Sequence, residues 1–521
     1  MQQKSDQLSK FWLDQIVERV IAAHPTGEIT VSSGISPSGP YHVGHAREIL
    51  TGDALYRGLK ERGGQVRHLH FVDAHDALRK RYPYLPESYE KEAGKPLYLV
   101  PAPDGKSTNY AEQYFSAYQA AADQLGIEME VIWTNQEYAA GKYTDLIIKS
   151  LEKRDQIAEI LSTISTRQLE ADWQPVQILD KTTQSLRSAK FIDFDAAKKT
   201  VRYRAADGQE YEAAMDQGEV KLDWRCDWPA RWLLYGVQVE GFGRDHATKG
   251  GSYEVGQAII EQVYGGQAPV PVPYEFINLK GETKKMSSSL GNLVTITDAL
   301  KIIPPEILRY FTYKSRPERQ LAFDTGLGLY GLVDEYAKTE TESLAGQKPE
   351  YERAWQVARL EGERHTVSRV PFSHLVTSWQ AARGDKAGVF DILERSGFGE
   401  EVKTQSEVLI RQLRYVASWL ADFAPEQVKF TVQEDLPQIE FTTEQKDFLD
   451  QLATTFEKGD LTAQIIHDAV YETAVAANLK PAEAFKLIYQ LFLSKDSGPK
   501  LGFFLSTLDK DFVLGRLKRI D

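Results

Sequence analysis

Residues 28–50 read EITVSSGISPSGPYHVGHAREIL, and the fold is decided within them. Glu28 to Ser33 alternate as a half-buried strand does, whereas Val43, Ala46, Ile49, Leu50, Ala54 and Leu55 recur at helical spacing. Between the two patterns a turn holds Gly34, Pro37, Gly39 and Pro40. The spacing therefore predicts a strand, a turn and a helix, with His42 and His45 in the first turn of that helix. A helix N-terminus after a glycine-containing loop offers unpaired backbone N–H groups and the positive end of the helix dipole, which suits phosphate. Imidazoles placed there are able to donate to phosphate oxygens too. Taken alone, the same pattern is met by one histidine that caps the helix and another that packs.

Working outward, Arg67 to Val72 reads as a second strand with Asp73 to Lys80 as its polar exit loop, Tyr110 to Leu125 as a helix, and Met129 to Trp133 as a third strand. Strands and helices alternating at these intervals predict a parallel α/β sheet. Residues 163–220 differ: the short pieces PVQIL, KFIDF and TVRYRA, separated by turn signals such as Ala206-Asp207-Gly208, predict a small antiparallel insertion. The α/β pattern resumes with strands at Tyr235 to Glu240 and Tyr274 to Leu279. From about residue 336 strand signals fade. Val408, Leu409, Leu413, Val416, Leu420 and Phe423 share one helical face, and Phe485 to Phe492 is similarly apolar, so a helical C-terminal region is expected.

Bulk composition narrows the class. A chain of 521 residues exceeds what one core organises, so two to four domains are expected. The 42% hydrophobic and 26% charged residues are those of an ordinary globular protein. Cys226 is the single cysteine, which excludes an internal disulfide and a cysteine-based zinc site and fits a reducing cytoplasm. No apolar run approaches membrane-spanning length, and the opening MQQKSDQLSKFWLDQIVERV reads as an amphipathic helix rather than a signal peptide. A net charge of -13 argues against non-specific nucleic-acid binding by the whole surface and leaves room for a local basic face.

Residues 280–292, KGETKKMSSSLGN, form a second motif. By itself it describes a polar surface loop between a strand and a helix. Paired with HVGH at 42–45, it resembles the two signature sequences of class I aminoacyl-tRNA synthetases. The stretches SSGISPSGPYHVGHAREIL, GKPLYLVPAPDG, KLDWRCDWPARWLLYGVQVEGFGRDH, PYEFINLKGETKKMSSSLGN and GPKLGFFLSTLDKDFVLGRL extend the likeness over most of the chain to class I lysyl-tRNA synthetases. The resemblance implies an α/β Rossmann-like parallel-sheet catalytic domain over 1–278 with a small inserted module at about 86–220. It further implies a signature loop and connecting region over 279–335 and an all-helical tRNA anticodon-binding region over 336–521.

The implied reaction is lysine activation by ATP with Mg²⁺, then transfer to the terminal adenosine of tRNA(Lys). A carboxylate nucleophile is already ionised and needs no general base, so the protein must orient the reactants and stabilise charge on the triphosphate. The resemblance assigns that work to His42, His45 and Lys285, the last chosen over Lys284 because it begins KMSSS. It places Gly44, Gly243, Asp245, Met286 and Ser287 around ATP, and Gly34, Ser36, Trp224, His246 and Tyr274 around lysine. Asp245 is also suited to capping a helix, and Trp224 and Tyr274 to packing in the core.

Asp73 and Asp76 follow a strand, where they are able to help neutralise a lysine ammonium, although solvated loop carboxylates are the commoner fate of such residues. The chain departs from its family in two places. Many relatives carry zinc-spaced cysteines in the insertion, but Leu161 to Glu212 contains neither cysteine nor histidine, so no structural zinc is expected and Trp173, Ile178, Phe191 and Tyr203 must supply the stabilisation. Ala74 and His75 stand where the family commonly has an acid and an aromatic. A cytoplasmic monomer without membrane contact is expected. Two other readings remain: a class I synthetase for another amino acid such as glutamate, which would need arginines in its pocket, and a non-catalytic RNA-binding or regulatory protein, which would have shed motif residues.

Overall fold

Along the chain the strands are β1 (Ile29–Ile35), β2 (Val66–Val72), β3 (Glu130–Trp133), β4 (Val176–Ile178), β5 (Lys190–Asp195), β6 (Thr200–Arg204), β7 (Glu210–Ala214), β8 (Val220–Leu222), β9 (Val237–Gly243), β10 (Val270–Tyr274), β11 (Ile277–Leu279) and β12 (Leu321–Phe323). The first helices are α1 (Trp12–Ala23), α2 (Ala46–Glu61), α3 (Tyr110–Gln124), α4 (Thr134–Ala139), α5 (Thr144–Glu152), α6 (Arg154–Ile164), α7 (Trp224–Tyr235) and α8 (Ser252–Ile259). This computed structural model describes residues 11–165, 168–280, 294–362, 365–438, 440–459 and 461–518.

Five strands form one sheet in the order β10-β9-β1-β2-β3, and every pairing is parallel. Strand β1 is paired on both edges: Ser32 lies opposite Leu69 of β2 and Glu240 of β9. The connection out of β1 leads to one side of it and the later half of the sheet lies on the other, so the strand order reverses there and a crevice opens beyond the strand ends. Parallel strands bury both faces, as the fully buried Val31, Leu69, Phe71 and Val239 show. Helix α2 is anchored below this crevice by Asp53, which pairs with Arg309 at 2.7 Å, both side chains fully buried, and accepts the Tyr313 hydroxyl at 2.7 Å.

Three expectations need correction. Tyr235 ends α7 rather than beginning a strand, because Gly236 takes a left-handed φ of 57° that stops the helix, and β9 starts at Val237. The stretch YEFINL is not one strand: Tyr274 closes β10, which pairs with β9, while Ile277 opens β11, which pairs with β12 in a separate two-stranded sheet. The sequence VPVPY is itself β10, an edge strand, where proline costs no ladder hydrogen bond on the open side. Strand β3 belongs to the parallel sheet, so the antiparallel insertion occupies the β4–β8 stretch and does not begin near residue 86.

In that insertion Ile178 and Tyr203 are buried in the core that continues into Trp228 and Trp232, with Trp173 and Phe191 packed against it. Its organiser is Asp180. That carboxylate accepts from the Thr182 N–H at 2.8 Å, the Thr182 hydroxyl at 2.6 Å, the Ser188 hydroxyl at 2.8 Å and the Ala206 N–H at 2.8 Å. Burial raises its pKa, but the hydrogen bonds win and hold it at about 2.

The chain divides into two compact units, the first comprising 1–300, 308–323 and 353–359, the second 301–307, 324–352 and 360–521. Among its described residues the second is helical, and one of its cores gathers Phe448, Leu452, Ile466, Val470, Leu487, Ile488, Leu491 and Phe504. No helix among the described residues is long and apolar enough to cross a membrane.

Asp180→Ala strands four donors inside the insertion and is expected to cost about 3 kcal/mol. Amide exchange should then accelerate in residues 176–222 and stay unchanged in β1, β2 and β9; equal acceleration in both would contradict this role.

Candidate active site

The histidine turn forms at the crevice. Val43–His45 make a single 3₁₀ turn that runs directly into α2, with His42 one position before the turn and His45 one position before the helix. Both histidines cap the turn: His42 Nδ1 accepts the Gly44 N–H at 3.1 Å, and His45 Nδ1 accepts the His42 N–H at 3.1 Å. An Nδ1 that accepts cannot carry the proton, so each neutral ring bears it on Nε2. The two rings lie 3.9 Å apart between centroids. Gly44 is required for a reason unrelated to adenosine: a Cβ there would fall 2.7 Å from the His42 ring and 3.0 Å from the Ile277 carbonyl.

The residues that follow the second motif meet the same turn, while its first residue pairs with β12. His42 bridges to Thr295, the Val43 N–H donates to the Val294 carbonyl at 2.9 Å, and the Lys280 N–H donates to the Phe323 carbonyl at 2.9 Å. Lys284, Lys285, Met286 and Ser287 lie outside the described residues.

Beyond the end of β1, the Gly34 N–H donates to Glu48 Oε1 at 3.0 Å, and the Tyr274 hydroxyl donates to the other oxygen of Glu48. Glu48 was not among the residues singled out from sequence, since a glutamate in the first turn of a helix ordinarily serves the dipole. Here burial raises its pKa to about 8, and the two hydrogen bonds offset only part of that. Tyr41 and Tyr118 pack beside it with ring centroids 4.7 Å apart, and each buried hydroxyl lacks a partner among the described residues. Ser36 lies half-buried in the turn that leaves β1.

On the β9 side, Trp224 opens α7 and is 38% exposed, too open for a core residue, while Tyr274 is 5% exposed and does pack inside. His246 stands edge-on to Trp224 at 5.7 Å and close to Trp228 at 5.5 Å. The indole N–H groups of Trp228 and Trp232 donate to Glu240 of β9, as does the Ser32 hydroxyl. Gly243 ends β9, with Phe276 3.2 Å from where its Cβ would stand; Asp245 is exposed and caps no helix in the structure.

Asp73 and Asp76 are both held in ion pairs rather than left to solvent alone. Asp73 pairs with Arg231 at 2.7 Å, Arg231 with Asp227 at 2.9 Å, Asp227 with Lys221 at 3.4 Å and Lys221 with Asp76 at 3.2 Å. Burial raises the Asp73 pKa to about 6 against the pull of Arg231. His75 is fully buried, edge-on to Tyr98 and Tyr138. The structure thus joins Gly34, Glu48 and Tyr274 by hydrogen bonds, and Trp224 and His246 by ring contact, all around one crevice.

The sequence matches the family described as tRNA synthetases class I (K) over residues 10–362. Lysine–tRNA ligase 1 of Methanosarcina acetivorans is 39% identical over 532 residues, spanning 97% of this chain and 98% of its own. The lysine–tRNA ligase of Methanosarcina barkeri is 38% identical over 530 residues, 97% of each chain. Among solved structures, a glutamate–tRNA ligase from Elizabethkingia meningosepticum has a TM-score of 0.44 at 13% identity, covering 95% of this chain and 99% of that one.

A carboxyl whose folded pKa is raised binds its proton more tightly in the native state than in the unfolded one. Its contribution is full below the unfolded value and is lost as pH rises through about 8. Glu48→Gln removes that loss, so the variant should gain about 3 kcal/mol relative to the parent between pH 5 and pH 8 in urea titrations. Parallel stability curves would show that Glu48 titrates normally.

Proposed function

Because the chain belongs to the tRNA synthetases of class I (K), we propose that it is a lysine–tRNA ligase. The lysine carboxylate attacks the α-phosphorus of ATP and expels pyrophosphate; the lysyl-adenylate then gives its acyl group to the 2′ hydroxyl of the terminal adenosine of tRNA(Lys). The observation that carries the substrate reading is the buried carboxyl of Glu48 between Gly34 and Tyr274, beside the histidine turn.

An ammonium group of lysine is the cation that this carboxyl lacks. Tyr41, Tyr118 and Tyr274 surround it with acceptor oxygens and ring faces, and Trp224 with His246 borders the substrate on the β9 side. A glutamate substrate would need an uncommitted cation instead. Arg231 and Lys221 are shared among Asp73, Asp76 and Asp227, two positive charges against three negative ones, and Glu48 and Glu240 add more acid. The non-catalytic reading is disfavoured by a sequence that keeps His42, His45 and Lys285.

With Nδ1 of each ring committed to backbone, His42 and His45 offer Nε2–H to phosphate oxygens that gain charge as the pentavalent transition state forms. Lys285 takes the charge of departing pyrophosphate, helped by Mg²⁺ that arrives with ATP. Gly243, which ends β9, and Asp245, just after it, flank the adenosine with Gly44, Met286 and Ser287; Gly34 and Ser36 line the amino-acid side. The insertion works without zinc, held by Asp180 and its apolar core. The helical region from about residue 336 binds the anticodon end of tRNA, and the enzyme acts as a cytoplasmic monomer.

Purified protein given unfractionated tRNA, ATP and Mg²⁺ should charge with lysine and with none of the other standard amino acids. Lys285→Ala should lower that rate by about two to three orders of magnitude. Charging with another amino acid would overturn the pocket, and tRNA binding without charging would overturn catalysis. Since an ammonium needs Glu48 ionised, the KM for lysine should fall as pH rises from 6.5 to 8, by at most about tenfold per unit. Glu48→Gln should raise KM and flatten that profile.

A further inference from the structure

The turn that leaves β1, Ser36-Pro37-Ser38-Gly39-Pro40, carries a residue of the amino-acid side but belongs to no strand or helix. Its two prolines have no N–H to give, and within it the Ser38 N–H donates to the Ser36 carbonyl at 2.8 Å. Two hydroxyls from elsewhere in the chain hold it. Tyr110 of α3, fully buried, donates to the Ser38 carbonyl at 2.9 Å, and the half-buried Tyr84 hydroxyl stands 3.2 Å from that carbonyl and 3.2 Å from the Tyr110 hydroxyl.

Tyr84 belongs to the long segment after β2, which folds back on itself between residues 74 and 98. Ala77 bridges to Pro96, the Gly94 N–H donates to the Leu78 carbonyl at 2.8 Å, and the Leu97 N–H donates to the Asp76 carbonyl at 2.9 Å. The insertion grips this segment from the other side. The Leu186 N–H donates to the Gly94 carbonyl at 2.9 Å, the Arg187 guanidinium to the Arg79 carbonyl at 3.0 Å, and Lys221 pairs with Asp76 at 3.2 Å. Gly94 makes the grip possible: its φ is 94°, and a Cβ there would fall 2.5 Å from Ser185 Oγ in the loop that Asp180 organises. Hydrogen bonds thus run without a break from the insertion, through the 74–98 segment, to the turn beside Gly34 and Ser36.

We propose that Tyr84 and Tyr110 are positioning residues for the amino acid, and that the inserted module sets Tyr84 through the 74–98 segment. This assignment rests on the lysine-charging reading, with Gly34 and Ser36 on the amino-acid side. A turn left unheld samples more than one shape, and a ligand that needs one shape binds more weakly in proportion to the time that shape is absent. Bound lysine fixes the turn again, so the loss falls on KM and spares kcat. ATP is spared as well, because the histidine turn is capped by its own backbone contacts.

The test is aminoacylation by the full chain with lysine varied under saturating ATP and tRNA. Tyr84→Phe and Tyr110→Phe keep the rings and remove one hydroxyl each; each should raise the KM for lysine about fivefold, the worth of one hydrogen bond, with kcat within about twofold of the parent's and the KM for ATP unchanged. Arg187→Ala, an exposed change on the insertion, should raise the KM for lysine about threefold in the same manner, and Arg187→Lys, which keeps a donor for the Arg79 carbonyl, should restore the parent value. Arg187→Ala in the Tyr84→Phe background should add less than the product of the single effects, because both act through one segment. A parent-like KM for lysine in both tyrosine variants would overturn the positioning role. Fully multiplicative effects, or an Arg187→Ala variant whose KM for ATP shifts as far as that for lysine, would overturn the link from the insertion. Failure of the parent to charge lysine would instead overturn the reading beneath it.

Discussion

Parallel pairing of β1 with β2 on one edge and β9 on the other obliges the chain to leave β1 in one direction and return on the other side. A crevice then opens beyond the ends of these strands. Backbone hydrogen bonding fixes the register, so Gly34 stands opposite Phe71 and Ser32 opposite Glu240. That register places the histidine turn after β1, Asp73 after β2, Gly243 at the end of β9 and Tyr274 at the end of β10.

Burial then decides what these groups do. Glu48 is an ordinary helix-start glutamate until the fold places Gly34 and Tyr274 against it and removes water, at which point the charged form becomes costly and its pKa rises to about 8. Asp73 moves the same way but less far, because Arg231 is close enough to stabilise its charge. A cluster of two cations and three carboxylates leaves acid in surplus. The histidines illustrate the opposite tactic: local backbone contacts set their tautomer and make donors of them.

The insertion shows how one buried carboxylate organises a small module. Asp180 draws the 180–188 loop and the 206 turn together through four hydrogen bonds, and the apolar face of β4, β6 and β8 continues the core of α7. In the second unit helical cores do the same work.

Much of this was legible in the sequence. Alternation revealed β1 and β2, and helical spacing revealed α2 and α3, because burial of one face imposes a period that survives in any context. The two motifs, HVGH and KGETKKMSSSLGN, carried the class I likeness, and the five longer stretches carried the family. The sequence did not reveal that VPVPY is a strand, since proline is tolerated only where an edge is open, and edges are a property of the assembled sheet. Nor did it separate Tyr274 from Ile277, whose partners β9 and β12 lie far apart along the chain. Glu48 and the Asp73–Arg231–Asp227 chain stayed hidden for the same reason: a carboxyl's role follows from the water it loses and the cations it meets, and both are set by residues dozens to hundreds of positions away.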